Sequence, residues 1–273
     1  MSWLESLFYG LVSGLAECLP ISAGAHRTLL LKLIGGADGP WMLLAVHLGA
    51  LAALLLSSWP ALSRMNRERR LASVPKARRK RQPDAKTMLE LRILKTAAVF
   101  AVLGMVVNLL IGNLWQRLWI LGLLLLLNGL VLYLPQFLPG SNKDARGISA
   151  LDAMLIGLSC GVGSVPGLSP LGTGIGTALT RGTQKRYGLD LVYLLCIPVL
   201  FVCILADGYQ IFQGSTLSFM TVLNAVTAAA SSFGGAYIGV LLMRFLSVNA
   251  GFGSFAYYSW GTAVLAFILY LLT

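Results

Sequence analysis

The sequence contains few charged residues. Only 11% of its 273 residues are Asp, Glu, Lys or Arg, whereas about 25% is usual in soluble domains. Hydrophobic residues make up 57% of the chain, and the mean hydropathy is +0.78. This composition excludes an ordinary soluble protein and predicts an integral membrane protein.

Cysteine is also scarce, and the N-terminus lacks a basic segment. The four cysteines lie in apolar segments without the paired spacing of a metal site, which argues against a cysteine-ligated metal and a disulfide framework. We expect small buried side chains at Cys18, Cys160, Cys196 and Cys203. Because Met1–Glu5 carries no basic n-region, we expect no cleavable signal peptide.

Positive charge is concentrated in one segment. The formal net charge is +11, and nine of the 21 Lys and Arg residues lie between Arg64 and Arg81, in the segment 62–91. No aromatic residues interleave these charges and no nucleic-acid-binding module surrounds them, so we expect no nucleic-acid partner. The segment instead predicts a cytoplasmic loop that contacts anionic membrane lipids. Pro75 and Pro83 predict that this loop is flexible or only partly helical.

Six apolar runs are each long enough to cross a membrane as a helix. About 20 residues are needed to span roughly 30 Å of hydrocarbon, and the runs lack the alternating pattern of barrel strands. The predicted spans are 40–60, 92–111, 117–138, 188–207, 219–242 and 252–272.

Two further apolar segments, 3–36 and 151–180, are interrupted by glycine and proline. The second lies between basic clusters at 143–146 and 181–186 that the positive-inside rule assigns to one side, so it must enter and leave on that side. Broken backbone at membrane depth has to be buried in protein or line a cavity.

These patterns predict an all-α polytopic membrane protein with six transmembrane helices and two re-entrant helical hairpins. The order of hairpin, three spans, hairpin and three spans predicts an inverted-topology repeat. The repeats cover 1–138 and 139–273, and both termini are expected outside. A weak similarity between Ser13–Pro20 and Leu158–Pro166 supports the repeat.

The first hairpin contains a carboxylate, a hydroxyl and an imidazole within ten residues: Glu17, Ser22 and His26. Ionisable groups at membrane depth cost a few kcal/mol and commonly mark functional sites. Other interpretations stay open: a structural carboxylate at Glu17, an interfacial position for His26, and a backbone-satisfying hydroxyl at Ser22. We interpret His47 as a packed polar residue rather than a ligand, and Asp190 as a helix cap or dipole partner rather than a catalytic residue.

Two motifs resemble a known family. The run E-C-L-P-I-S-A-G-A-H at Glu17–His26 resembles the first signature of bacterial undecaprenyl-diphosphate phosphatases of the bacitracin-resistance type, E-G-x-T-E-F-L-P-[VI]-S-S-[TS]-G-H. Val165–Gly174 resembles their second signature, P-G-x-S-R-S-G-x-T. Supporting matches extend over almost the whole chain, at His47–Ala50, Gly182–Pro198 and Phe255–Tyr258.

The resemblance implies a multi-pass protein of the bacterial plasma membrane, surrounded by membrane lipids. It would dephosphorylate a polyprenyl (undecaprenyl) diphosphate to regenerate the lipid carrier for cell-wall synthesis, and a homodimer is a candidate assembly. By resemblance, Glu17 would be a ligand of Mg²⁺ or Ca²⁺ or a base, His26 an acid or base, and Ser22 a nucleophile or phosphate ligand. The implied substrate-binding residues are Ser169, Gly167, Thr173 and Ser13.

The departures from the signatures fall on residues that matter for chemistry. Ser13 replaces the first glutamate, Ala23 the second serine and Pro170 the arginine. Arginine is well suited to bidentate phosphate recognition, and proline offers no donor. Two hypotheses therefore remain: a phosphatase with impaired catalysis, and a non-hydrolytic polyprenyl-phosphate binder or flippase on the same scaffold.

Overall fold

The computed structural model describes residues 2–36, 38–111, 117–138, 140, 142–214, 217–249 and 251–272. This part of the chain is helical, with isolated β-bridges at two places. Its α-helices, in chain order, are α1 (Trp3–Glu17), α2 (Ala23–Ile34), α3 (Pro40–Ser73), α4 (Ala85–Gly104), α5 (Val106–Ile111), α6 (Leu118–Tyr133), α7 (Ala150–Val162), α8 (Pro170–Thr180), α9 (Lys185–Phe212), α10 (Phe219–Asn249) and α11 (Ser254–Leu272).

Five helical segments are long and apolar enough to cross a membrane. They are α3, α6 with the 3₁₀ turn Leu134–Phe137, α9, α10 up to Ser247, and α11. The expected span 92–111 instead falls on α4 and α5, which are separated at Met105. Every stretch of α4 long enough to cross a membrane contains Glu90, Arg92 and Lys95, so α4 is more charged over that length than the five segments above.

The two segments expected as hairpins each form two helices joined by a turn, α1 with α2 and α7 with α8. Capping boxes begin α1 and α7, at Ser2 and Ser149. Serine hydroxyls also cap α2 and α8, at Ser22 and Ser169. Both pairs of caps are 147 residues apart. The hairpins therefore share one local design, and the similarity of Ser13–Pro20 to Leu158–Pro166 is one or two residues out of register with it.

The helices of the two halves pack in corresponding pairs. Helix α1 packs on α10 and α7 packs on α4, while α3 contacts α9 and α6 contacts α11. Each of these four pairs joins one helix from the first half of the chain to one from the second. Large apolar side chains on the outer surfaces stay exposed, as helices in lipid require.

The basic segment is partly helical, one of the two alternatives that the sequence predicts. Helix α3 continues to Ser73, and a 3₁₀ turn follows at Lys76–Arg78. The carboxylate of Glu68 accepts hydrogen bonds from the Arg81 side chain and the Asp84 backbone N–H. Hydrogen bonds from the hydroxyl and backbone N–H of Thr87 lower the pKa of Asp84 below its ordinary value. Residues 62–73 are thus part of a helix rather than a loop.

Two further sequence interpretations can be checked directly. Cys18, Cys160 and Cys196 are buried free thiols and Cys203 is half-buried, as expected. The cap interpretation of Asp190 is wrong, because α9 begins at Lys185 and its N-cap is Gln184. Asp190 lies more than one turn inside that helix.

Glycines allow the first helix of each hairpin to approach its neighbour closely. A Cβ on Gly14 would lie 2.0 Å from the carbonyl oxygen of Ser232 in α10. A Cβ on Gly157 would lie 2.0 Å from the carbonyl oxygen of Ala97 in α4. Small residues at such contacts let membrane helices pack backbone to backbone.

We expect Gly157→Ala to destabilise the protein by about 1–3 kcal/mol, because the methyl group would separate α7 from α4. The measurement is thermal or denaturant unfolding in detergent. Gly234→Ala is the matched control, since a Cβ there would meet no atom within 4 Å. Equal unfolding midpoints for the two variants would contradict the close contact.

Candidate functional site

The tips of the two hairpins are joined by hydrogen bonds. The Gly167 backbone N–H donates to the Ser22 hydroxyl over 2.8 Å. The Ser169 hydroxyl donates to the Leu19 carbonyl over 3.3 Å. Because Glu17 lies only two residues before Leu19, its Cα is at most about 7.6 Å from that of Leu19. The hairpin tips therefore meet at one junction.

Asn128 of α6 stabilises this junction. Its side-chain oxygen accepts the Ser169 backbone N–H, and its amide group donates to the Pro20 carbonyl and the Ser259 hydroxyl. Asn128, Ser169 and Ser259 are all buried. A buried amide that makes all these bonds fixes the relative position of both hairpins and of α11.

The hydroxyl groups of the serines and threonine predicted to bind substrate are hydrogen-bonded to backbone groups. The Ser22 hydroxyl accepts from Ala25 as well as Gly167, and the Ser169 hydroxyl accepts from Gly172. The Thr173 hydroxyl donates to backbone carbonyls, and so does that of Ser13, to Tyr9. These hydroxyls therefore satisfy backbone groups where the helices are broken. Their roles in substrate binding or catalysis stay predictions.

A group of buried charged side chains lies beside the junction. An Arg27 guanidinium nitrogen, Nη1, is 2.9 Å from Glu17 Oε1. His47 Nε2 is 3.7 Å from the same oxygen, and His47 Nδ1 is 2.6 Å from Asp207 Oδ2. The side chains of all four residues are at most 13% exposed. We call Glu17, Arg27, His47 and Asp207 the charged cluster.

The charged cluster draws on four helices. Glu17 ends α1, Arg27 lies one turn into α2, and α3 and α9 contribute His47 and Asp207. The carboxylate of Asp38 also lies near Arg27, since its charge acts on the guanidinium. It accepts a hydrogen bond from the Tyr9 hydroxyl over 2.5 Å.

His26 points away from the charged cluster, toward α11. Its Nδ1 is 2.6 Å from the Ser22 carbonyl oxygen, and its Nε2 is 2.8 Å from the Tyr258 hydroxyl. A carbonyl oxygen only accepts, so Nδ1 carries a hydrogen. The two rings are stacked, with centroids 5.6 Å apart.

The structure thus brings Gly167 into contact with Ser22, and Ser169 into contact with Leu19. Glu17 and His26 lie in the same first hairpin, with side chains that bond to different partners. Sequence reasoning missed Arg27, Asp207 and Asn128 as members of the site, although Asn128 is an isolated polar residue in an apolar segment and Arg27 directly follows His26. His47 was interpreted as a packed polar residue, and it is indeed buried, but it is paired with Asp207.

The side chains around Glu17 do not fit a resident divalent cation. Such ions prefer several oxygen ligands, whereas the nearest charged partners of Glu17 are a guanidinium and an imidazole. Among the described residues, no group of three or more His, Cys, Asp or Glu side chains has metal-site geometry. The expected Mg²⁺ or Ca²⁺ therefore has no visible set of protein ligands here.

Comparison with known families identifies this architecture. The model of the family described as bacitracin resistance protein BacA matches residues 6–265, which include both hairpins and the charged cluster. The chain belongs to this family. Together with its five apolar helices, this makes it a multi-pass membrane protein.

Curated relatives are similar over nearly the whole chain. The undecaprenyl-diphosphatase of Micrococcus luteus is 28% identical over 276 residues, which cover 100% of this chain and 97% of that protein. The Halothermothrix orenii protein of the same name is 24% identical and covers 98% of each chain. The Jannaschia sp. undecaprenyl-diphosphatase is 29% identical, over 94% of this chain and 95% of its own.

We expect Ser22→Ala to lower the free energy of unfolding by about 2 kcal/mol, since it leaves two buried backbone N–H groups without an acceptor. Unfolding in detergent provides the measurement. Ser73→Ala is the control, because that exposed hydroxyl bonds only to a carbonyl of its own helix. A Ser22→Ala variant as stable as Ser73→Ala would show that the junction does not depend on this hydroxyl.

Proposed function

We propose that this protein binds a polyprenyl diphosphate at the hairpin junction and hydrolyses it slowly. The observation that carries the proposal is the charged cluster beside the junction. Charged side chains within apolar helices are costly and commonly mark binding or catalytic sites. The name of the curated relatives, undecaprenyl-diphosphatase, supplies the substrate class.

Arg27 supplies the positive charge that the second hairpin lacks. The second signature of the family carries an arginine where this chain has Pro170. Arg27 donates one N–H to Glu17, and its other N–H groups donate to no described residue. A guanidinium has five donors in a fixed fork that matches phosphate oxygens. Arg27 therefore holds a phosphate group, and Glu17 keeps its guanidinium in place until substrate arrives.

His26 is the residue best placed to move a proton. With a hydrogen on Nδ1 fixed by the Ser22 carbonyl, Nε2 of the neutral ring is the basic nitrogen. Its present partner is the half-exposed hydroxyl of Tyr258. His26 Nε2 can therefore accept a proton from an attacking water, or return one to the departing phosphate.

Slow turnover follows from the charge at the junction. Loss of a single hydrogen-bond donor that stabilises charge in the transition state commonly lowers kcat by roughly 10²- to 10³-fold. Pro170 removes such a donor, and the carboxylates of Glu17 and Asp207 oppose the added negative charge. Binding is affected less, since Arg27 stays in place.

A second candidate is a binder or flippase that does not hydrolyse its lipid phosphate. Two observations favour it. The Ser22 hydroxyl accepts two backbone N–H groups, so its lone pairs are not free to attack phosphorus. The corresponding packing of helices from the two halves supports an inverted repeat, an arrangement used for alternating access.

We also propose the finer topology expected from the sequence, with α1–α2 and α7–α8 as re-entrant hairpins and α4–α5 as the sixth crossing. The shared spacing of the caps and the paired helix contacts support it. The segment with the basic residues is then cytoplasmic and both termini lie outside.

Phosphate release from undecaprenyl diphosphate by purified protein tests hydrolysis, with and without Mg²⁺ or Ca²⁺. We expect a wild-type kcat well below about 1 s⁻¹, which is the lower limit of kcat values typical of enzymes. Pro170→Arg should raise kcat at least about tenfold by restoring a phosphate donor, whereas Pro83→Arg, away from the junction, should not. A wild-type kcat above about 1 s⁻¹ would contradict impairment, and binding without any release would favour the second candidate.

Binding of the same lipid distinguishes Arg27 from a metal on Glu17. We expect Arg27→Gln to weaken binding at least about tenfold, the loss of one charge-assisted contact, while Arg78→Gln in the basic segment has no effect. Glu17→Gln should leave affinity unchanged or increase it, because the carboxylate no longer competes for the guanidinium. If Glu17→Gln abolishes binding and Arg27→Gln does not, Glu17 anchors a metal and the role of Arg27 is wrong.

A further inference from the structure

A cavity lies far from the hairpin junction. Its volume is about 1050 Å³, at the upper end of ordinary ligand sites. Side chains of α3, α4, α9 and α10 line it. Its polar lining includes Arg64, Arg67, Arg186, Arg244, Glu90 and Asp190.

The cavity and the charged cluster lie at opposite ends of the α3–α9 pair. His47 and Arg64 are 17 residues apart on α3, and Asp190 and Asp207 are 17 residues apart on α9. At 1.5 Å per residue each separation is about 25 Å along the helix. The cavity is therefore a separate site, at the end that carries the basic segment.

Positive charge dominates this cavity. Four arginines face two carboxylates, which leaves two positive charges in excess. Arg64 pairs with Glu90 at 2.7 Å, and Arg244 donates to the Ser57 carbonyl at 3.0 Å. Arg186 makes no hydrogen bond or ion pair to any described residue. It acts on Asp190 electrostatically together with Arg64 and Arg244.

The rest of the lining suits a lipid headgroup. Hydroxyl groups of Ser57, Ser58 and Ser63 lie beside the arginines, and Leu191 and Leu194 form an apolar wall. Guanidinium groups with hydroxyls match a phosphate group, while leucines match the first part of an acyl or prenyl chain. An open cavity at the end of transmembrane helices is within reach of the headgroup layer.

We propose that this cavity binds the phosphomonoester headgroup of a lipid, with Arg186 and Arg244 as the principal contacts. A phosphomonoester carries up to two negative charges, which equals the positive excess of the lining, whereas a phosphodiester carries one. This site is independent of the proposed diphosphatase activity, because it shares no side chain with the hairpin junction or the charged cluster.

Binding of water-soluble dioctanoyl phosphatidic acid to protein in nanodiscs tests the proposal. Dioctanoyl phosphatidylglycerol and inorganic phosphate serve as comparison ligands. We expect phosphatidic acid to bind at least tenfold more tightly than either. The double variant Arg186→Gln/Arg244→Gln should weaken this binding at least tenfold. Arg69→Gln/Arg70→Gln, which removes two exposed charges outside the cavity, should change it less than twofold.

Three results would overturn the proposal. If both double variants lose affinity equally, the ligand binds general surface charge. If inorganic phosphate binds as tightly as phosphatidic acid, the ligand is free phosphate rather than a lipid. If Arg27→Gln weakens phosphatidic acid binding as much as Arg186→Gln/Arg244→Gln does, the lipid occupies the hairpin junction. The single variant Arg186→Gln, with its unfolding midpoint, separates loss of binding from loss of fold.

Discussion

The contact between the two hairpin tips is the interaction on which the rest of the site depends. Each hairpin breaks its helix inside the apolar part of the protein, so its backbone groups need partners from outside the hairpin. Ser22 accepts the N–H of Gly167, Ser169 donates to the carbonyl of Leu19, and Asn128 bonds to both sides. Neither break would be satisfied by its own hairpin alone, so the two halves of the chain must fold against each other.

The junction is symmetric in its backbone and asymmetric in its charge. Matching serines cap α2 and α8, but the ionisable residues beside them, Glu17, His26 and Arg27, all come from the first hairpin. The second contributes Gly167, Ser169 and Pro170 instead. The ionisable side chains beside the junction thus come from one hairpin, while the other contributes backbone groups and the Ser169 cap.

Much of this architecture could be predicted from the sequence, since its signals are local. Apolar length located the main helices, and glycine and proline located both hairpins. The charged cluster could not be found in this way, because Glu17, His47 and Asp207 come from three helices far apart in sequence. A partly helical basic segment was expected, but the end of α3 at Ser73 could not be located, because arginine is a good helix former and gives no stop signal.

Helices α3 and α9 connect the two polar regions of the molecule. Both have a proline in the middle, Pro60 and Pro198, which removes one helical hydrogen bond and allows a bend. His47 and Asp207 bond to each other at one end of the pair, while Arg64 and Asp190 face one cavity at the other. Bends at Pro60 and Pro198 can take up movement between the two ends of the pair, so a change at the charged cluster need not alter the spacing of the cavity arginines. The two regions can therefore act as separate sites although they share two helices.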